Sequence, residues 1–213
     1  MNKQQTCSGI EAGLNLIMPM IISQSQIIIA ISGYTCSGKS YLAELLAQKL
    51  KQEAEGASLV PMDSYYRDKD ESGFPRDEYG IKLWDIPESY NQAEYVQAIL
   101  DLADQKQTWE PEFDKHCNKR IKGKEKLIRP KPCIIGEGLF SILFLKSLPR
   151  KILKVYLDTD LEKTCLPRRI ARDTKVFGES EARISRAFAL YVVPFNLKHV
   201  LPQKNDADIV IIE

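Results

Sequence analysis

The 213-residue chain carries 30 Lys and Arg against 29 Asp and Glu, a net charge of +1, and 44% of it is hydrophobic. That balance suits one compact domain with a sizeable core, and it gives no support for nucleic acid or an anionic membrane as the main partner. The five cysteines, Cys7, Cys36, Cys117, Cys133 and Cys165, are odd in number and lack metal-ligand spacing, so they read as reduced thiols of a cytoplasmic protein.

Residues 1–25 read as an N-terminal extension. Its apolar run LNLIMPMII, 14–22, is too short to span a bilayer and is interrupted by Pro19. Lys3 is its one basic residue and no small-residue cleavage site follows, so a secretory signal is not expected. The domain then occupies 26–213. Residues 26–32, QIIIAIS, form a short β-branched run that predicts a buried parallel strand. Immediately after it, residues 33–40 read GYTCSGKS, the G-x-x-x-x-G-K-[ST] pattern of a phosphate-binding loop. Apolar residues at 42, 45, 46 and 50 then predict an amphipathic helix. A strand before and a helix after are the context such a loop requires. The expected nucleotide-binding set is therefore Gly33, Tyr34, Thr35, Cys36, Ser37, Gly38, Lys39, Ser40 and the adjoining Tyr41. Its backbone amides and the helix N-terminus face phosphate oxygens. Lys39 reaches the β- and γ-phosphates, and the Ser40 hydroxyl ligates Mg²⁺.

Further along, 57–63 (ASLVPMD), 133–137 (CIIGE), 153–157 (LKVYL) and 208–212 (DIVII) predict strands. The first is expected to end in Asp63 and the second in Glu137, acids at strand ends beside the loop and so placed to hold Mg²⁺. Residues 160–174 and about 180–200 predict helices. The polar, proline-punctuated 107–130 predicts a β-hairpin insertion on the substrate side. Arg168, Arg169, Arg172 and Lys175 crowd one short stretch, a basic lid over 168–180 or an ordinary solvated face. Asp77–Gly80 matches the D-x-x-G of GTPases, but no apolar strand precedes it and no N-K-x-D occurs, so it reads as chance. The expected fold is α/β, a P-loop NTPase-type parallel sheet with helices on both faces, plus the hairpin and the basic lid.

GYTCSGKS, MDSYYR (62–67), LWDIPESY (83–90), PEFD (111–114), IIGEGL (134–139), VYLDTD (155–160), RRIARD (168–173) and DADIVI (206–211) occur in that order. Together they resemble the uridine–cytidine kinases of the phosphoribulokinase/uridine kinase family, from about residue 26 to the last residue. The resemblance implies that Asp63 accepts the proton of a nucleoside 5′-hydroxyl and that Asp85 binds the ribose 2′- and 3′-hydroxyls. It implies Arg169 near the sugar, Arg172 near the phosphates, Tyr66 and Phe113 around the nucleobase, and Glu137 with Mg²⁺. It also allows a homo-oligomer. The departures fall on base reading. Where the family has Y-D-F-x-x-H, this chain has Phe113-Asp114-Lys115-His116-Cys117-Asn118, so Lys115 replaces an aromatic and Asn118 a histidine. Ala187 stands where a base-reading glutamine is expected, and Phe177-Gly178-Glu179 stands for an R-G-R segment.

The expectation is an ATP- and Mg²⁺-dependent kinase acting on the primary hydroxyl of a nucleoside-like small molecule. Nicotinamide riboside, pantothenate or a sugar phosphate are the alternative acceptors. A nucleotide-binding regulator with little turnover is the alternative of another class.

Overall fold

The structure is a computed structural model and describes residues 4–213. Its centre is β2 (Ile27–Gly33), every residue of which is buried. Period-two alternation sorts its side chains between two cores. Ile28 and Ala30 enter one, and Ile27, Ile29 and Ile31 enter the other. On one side β2 pairs with β6 (Cys133–Glu137), and β6 pairs with β3 (Ala57–Pro61). On the other side it pairs with β7 (Ile152–Asp158), and β7 with β8 (Ile209–Ile212). All of these pairings are parallel, so the carboxyl ends of the strands share one edge.

The first core lies under α3 (Gln92–Ala103), α4 (Ser141–Leu145) and the helical stretch from 188 to 200. The second lies under α2 (Lys39–Glu53), through Leu42, Ala43, Leu46 and Leu50. These are the two helical layers that an all-parallel sheet requires. Tyr95, Ala98, Ile99 and Leu102 make the buried face of α3, a helix that lies before the expected hairpin and that the sequence analysis did not predict. The hairpin is β4 (Thr108–Asp114) against β5 (Lys119–Ile128), antiparallel and with an irregularity between Glu110 and Glu112. The basic run lies on α5 (Leu166–Phe177), which Gly178 ends in the left-handed conformation at φ 67°.

One expectation is corrected. The strand that was to end at Asp63 ends at Pro61, and Asp63 sits in a single 3₁₀ turn, Met62–Tyr65. The described part of the expected N-terminal extension, residues 4–25, packs onto the domain. Gln5–Ser8 form β1, which pairs in parallel with β8 and extends the sheet to six strands in the order β1-β8-β7-β2-β6-β3. Ile10–Ile22 form α1, which buries Leu14, Ile17, Met18 and Ile21 in the same core as α2. Pro19 lies inside this helix. The proline removes one backbone hydrogen bond near the helix end, a smaller loss than that apolar face regains. Gly13 lets α1 approach β8, because a Cβ there would stand 2.3 Å from Ile211 Cδ1. Residues 1–3 of the expected extension lie outside the described residues. Among the described residues no helix is long and apolar enough to cross a membrane.

Candidate active site

At the carboxyl edge of the sheet lies an open cleft of about 1290 Å³. The phosphate-binding loop lines one part of it with Thr35, Cys36, Gly38, Lys39, Ser40 and Tyr41. Cys36 at φ 56° and Gly38 at φ 104° give the loop its left-handed turns. The other loop residues turn their side chains away. Tyr34 packs edge-on to Tyr156, Ser37 is fully buried, and Gly33 sits so close to β7 that a Cβ would stand 2.6 Å from Leu157 O. Any part these three take in holding a nucleotide is therefore through the backbone. Lys39 is 8% exposed, and its ammonium makes one hydrogen bond among the described residues, to Tyr34 O at 2.7 Å. The ammonium keeps donors to spare and lines the cleft, which fits an anionic oxygen.

Beside Lys39 the Ser40 hydroxyl donates to Glu137 Oε1 at 3.1 Å. Glu137 is buried. Desolvation and the nearby Asp63 charge push its carboxyl up to about 7, although Lys39 and Ser40 pull the other way. An acid so disfavoured as an anion is one that a cation would relieve. Hard oxygen donors, few in number and next to a phosphate site, suit Mg²⁺ shared with phosphate oxygens rather than an all-protein cage. Asp63 stands across from Glu137 in the same cleft. Burial works to raise its pKa, but the Lys115 ammonium at 2.6 Å, with Lys39 and Arg172 behind it, holds the carboxyl below its usual range.

The remaining predicted residues meet in the same cleft. Asp85 is nearly buried and stands 3.9 Å from Arg169. Burial raises its pKa, opposed chiefly by Arg169. Tyr66 stacks on Tyr90 with ring centroids 4.0 Å apart, and Phe113 and Trp84 lie 5.4 and 5.6 Å from it. These rings form an aromatic wall, in which the Tyr66 and Tyr90 hydroxyls are hydrogen-bonded to each other. Arg169 and Arg172 are steered by one buried carboxylate that the sequence reading did not single out. Asp173 pairs with them at 3.2 and 2.7 Å, and the Arg169–Asp173 spacing of four on a helix was its available signal.

The hairpin tip closes over this assembly. Lys115 reaches Asp63, and the His116 ring stands edge-on to Phe177 at 5.2 Å. Asn118 lines the cleft, but it is also the left-handed residue of the tip at φ 52°, and its carbonyl accepts from Lys69 N. Ala187 lines the cleft with no polar atom to offer. Glu179 pairs with Arg183 at 3.0 Å. Asp77, in the stretch read as a chance GTPase match, is a turn-former whose Oδ1 accepts from Tyr79 N and Ile81 N.

The profile of the Phosphoribulokinase / Uridine kinase family matches residues 28–213. Among curated proteins, the chain is 32% identical over 198 residues to a uridine kinase of Haemophilus ducreyi, covering 91% of this chain and 89% of that one. It is 29% identical over 189 residues to a uridine kinase of Clostridium botulinum, covering 88% of each. Among solved structures, a possible uridine kinase from Bacillus stearothermophilus superposes with a TM-score of 0.66 at 16% identity, over 95% of this chain and 98% of that one. A D-glycerate 3-kinase from Cryptococcus neoformans does so with a TM-score of 0.62 at 11% identity, over 92% and 89%. At those identities the two structures speak for the fold alone.

Proposed function

The chain belongs to the phosphoribulokinase/uridine kinase family, and from that premise we propose that it is a cytoplasmic kinase that moves the γ-phosphoryl group of ATP to the primary hydroxyl of a ribosyl compound, a nucleoside of the uridine or cytidine kind. The observation that carries this reading is the meeting of Lys39, Ser40, Glu137 and Asp63 with Asp85 and the Tyr66–Phe113 wall in one cleft.

In this reading Asp63 accepts the proton of the acceptor hydroxyl. Its depressed pKa keeps it ionised and ready at neutral pH. The hydroxyl oxygen attacks the γ-phosphorus, the bond to the β–γ bridging oxygen breaks, and ADP leaves. Lys39 and the loop amides hold the phosphates, and Arg172 offsets charge on the transferred group. Asp85, oriented by Arg169, accepts hydrogen bonds from the vicinal ribose hydroxyls, and Tyr66 and Phe113 face the aglycone. Ser40 and Glu137, with Asp63 beside them, would hold Mg²⁺, which supplies charge neutralisation at the phosphates. Most of the barrier reduction then comes from placement and electrostatics.

A specific observation favours a second reading of the acceptor. Lys115 lies on Asp63, and Asn118 is used as a turn residue, where relatives of the resembled kind would read a base. An acceptor with another aglycone, such as nicotinamide riboside, fits that change. The test is ADP release with ATP and Mg²⁺ over a panel of uridine, cytidine, other nucleosides, nicotinamide riboside and pantothenate, with Asp63→Asn as control. Turnover on a pyrimidine nucleoside that the variant abolishes is the expected result. Turnover confined to another acceptor establishes the second reading. ATP binding without turnover on any acceptor would sink both and leave a regulator.

A further inference from the structure

The family match begins at residue 28, yet the cleft does not. One of its lining residues is Ile10, the first residue of α1, contributed by the segment that pairs with the far edge of the sheet. Its surroundings are specific. The Ile10 backbone N–H donates to Glu213 Oε1 at 3.0 Å, and the other oxygen of that carboxylate lies 3.9 Å from Arg168 Nη2. Arg168 in turn leans over the phosphate-binding loop, with Nη1 at 3.4 Å from both Cys36 O and Ser37 O. A methyl-sized group placed on Gly38 would sit 3.8 Å from Ile10 Cδ1 and 3.9 Å from Arg168 Nη1. Ile10 and Arg168 therefore flank the second glycine of the loop, one with an apolar face and the other with a planar cation. Glu213 links them, accepting from the Ile10 N–H and facing the Arg168 guanidinium as an ion pair, and the exposed ring of Tyr41 lines the same cleft.

The bland reading of Ile10 is a partly buried residue at the rim of the core under α1, and it does pack there. That packing accounts for its buried part. It does not account for the side left facing a cleft beside the loop. A nucleotide whose terminal phosphates lie at Lys39 and Ser40 must lead its sugar and base out past the start of α2. An apolar side chain and a guanidinium are the two surfaces on which a flat aromatic ring stacks well. We propose that Ile10, with Arg168 and Glu213, forms the subsite for the base of the phosphate donor, a purine nucleoside triphosphate. Residues 5–22 then belong to the active site and not only to the fold. This inference rests on the donor reading given above and adds to it a wall that the family-matched region lacks.

The experiment is titration calorimetry of Ile10→Ala with two probes in the presence of Mg²⁺, ATP and inorganic tripolyphosphate. The latter carries the phosphates without sugar or base. A loss of about tenfold in ATP affinity is expected from removing most of one apolar wall. Tripolyphosphate affinity is expected to stay at the wild-type value, because the loop is untouched. Equal weakening of both probes would show a structural defect spreading into the loop and would overturn the proposal, as would unchanged ATP binding. Hydrogen exchange on the unmodified chain guards against a variant that fails to fold. ATP, but not tripolyphosphate, should slow exchange at the amides of residues 9–11, and equal protection by both would count against the subsite. Wild-type protein that binds tripolyphosphate but not ATP would also overturn it. Binding of neither probe would instead remove the donor reading on which it stands.

Discussion

The two halves of the cleft are built by different means. The phosphate-holding part of the donor half is a local device. Eight consecutive residues, from the last of β2 to the first two of α2, form it, and its groups are largely backbone amides fixed by the chain's course, with one buried ammonium among them. The acceptor half is an assembly of side chains. Asp63 comes from a turn after β3, Asp85 from the loop before α3, Lys115 from the hairpin tip and Arg169 from α5. A site made of backbone changes little as side chains are exchanged around it. A site made of side chains brought from separate segments changes its ligand one residue at a time. The departures from the resembled pattern fall accordingly, with the loop intact and Lys115, Asn118 and Ala187 altered.

Substitutions on the two sides should separate in kind as well as size. The largest effect is expected from Asp63→Asn, with kcat lower by about a thousandfold, the scale of a lost general base, and little change in ATP affinity. Loss of ATP binding in that variant would place Asp63 in the donor half. Next comes Asp85→Ala, expected to raise the acceptor KM by roughly ten- to a hundredfold while leaving the donor KM in place, through loss of a buried hydrogen-bonding acid. An unchanged acceptor KM would end the assignment of Asp85 to a vicinal diol.

The donor half also has a stability signature. Glu137 is more easily protonated in the fold than in the unfolded chain, so its contribution is fully present below its ordinary pKa of 4.5 and is lost as pH rises through about 7. Over that window the protein without metal should lose about 3 kcal/mol that Glu137→Gln does not lose. Parallel pH–stability curves for the two proteins in urea unfolding would sink the expectation. The smallest effect is expected for Lys115→Met. Its pair with Asp63 is about half exposed on both sides and is worth about 0–1 kcal/mol to the fold. The variant should unfold like the wild type and differ in which acceptor it prefers. A marked drop in stability would make Lys115 a structural strut instead.

The same contrast explains what was legible in the sequence. The loop and its flanking elements are contiguous, so motif, strand and helix could be read together, and five of the six strands of the main sheet announced themselves as short apolar runs, while β1, QTCS, did not. The pair between Lys115 and Asp63 joins residues 52 apart, and no local pattern marks it. Two helices did carry a readable signal. Leu14, Ile17, Met18 and Ile21, and again Tyr95, Ala98, Ile99 and Leu102, recur at helical spacing. In the first, Pro19 read as a break, and the second stands between the predicted strand at 57–63 and the hairpin, where no element was expected. Ile10 gave no sign at all, because its place beside Gly38 depends on a strand pairing across the whole chain.

That pairing has a consequence for the order in which the protein can form. Gln5 lies opposite Ile209, so β1 finds its partner only when the long stretch between them is available. The apolar face of α1, which lies far ahead of β8 in the chain, waits for β8 before its side of the core is complete. Contacts so distant in sequence carry a high closure entropy and form late. During that wait the nascent chain exposes Leu14, Ile17, Met18 and Ile21 together, a surface on which chaperones and aggregation compete.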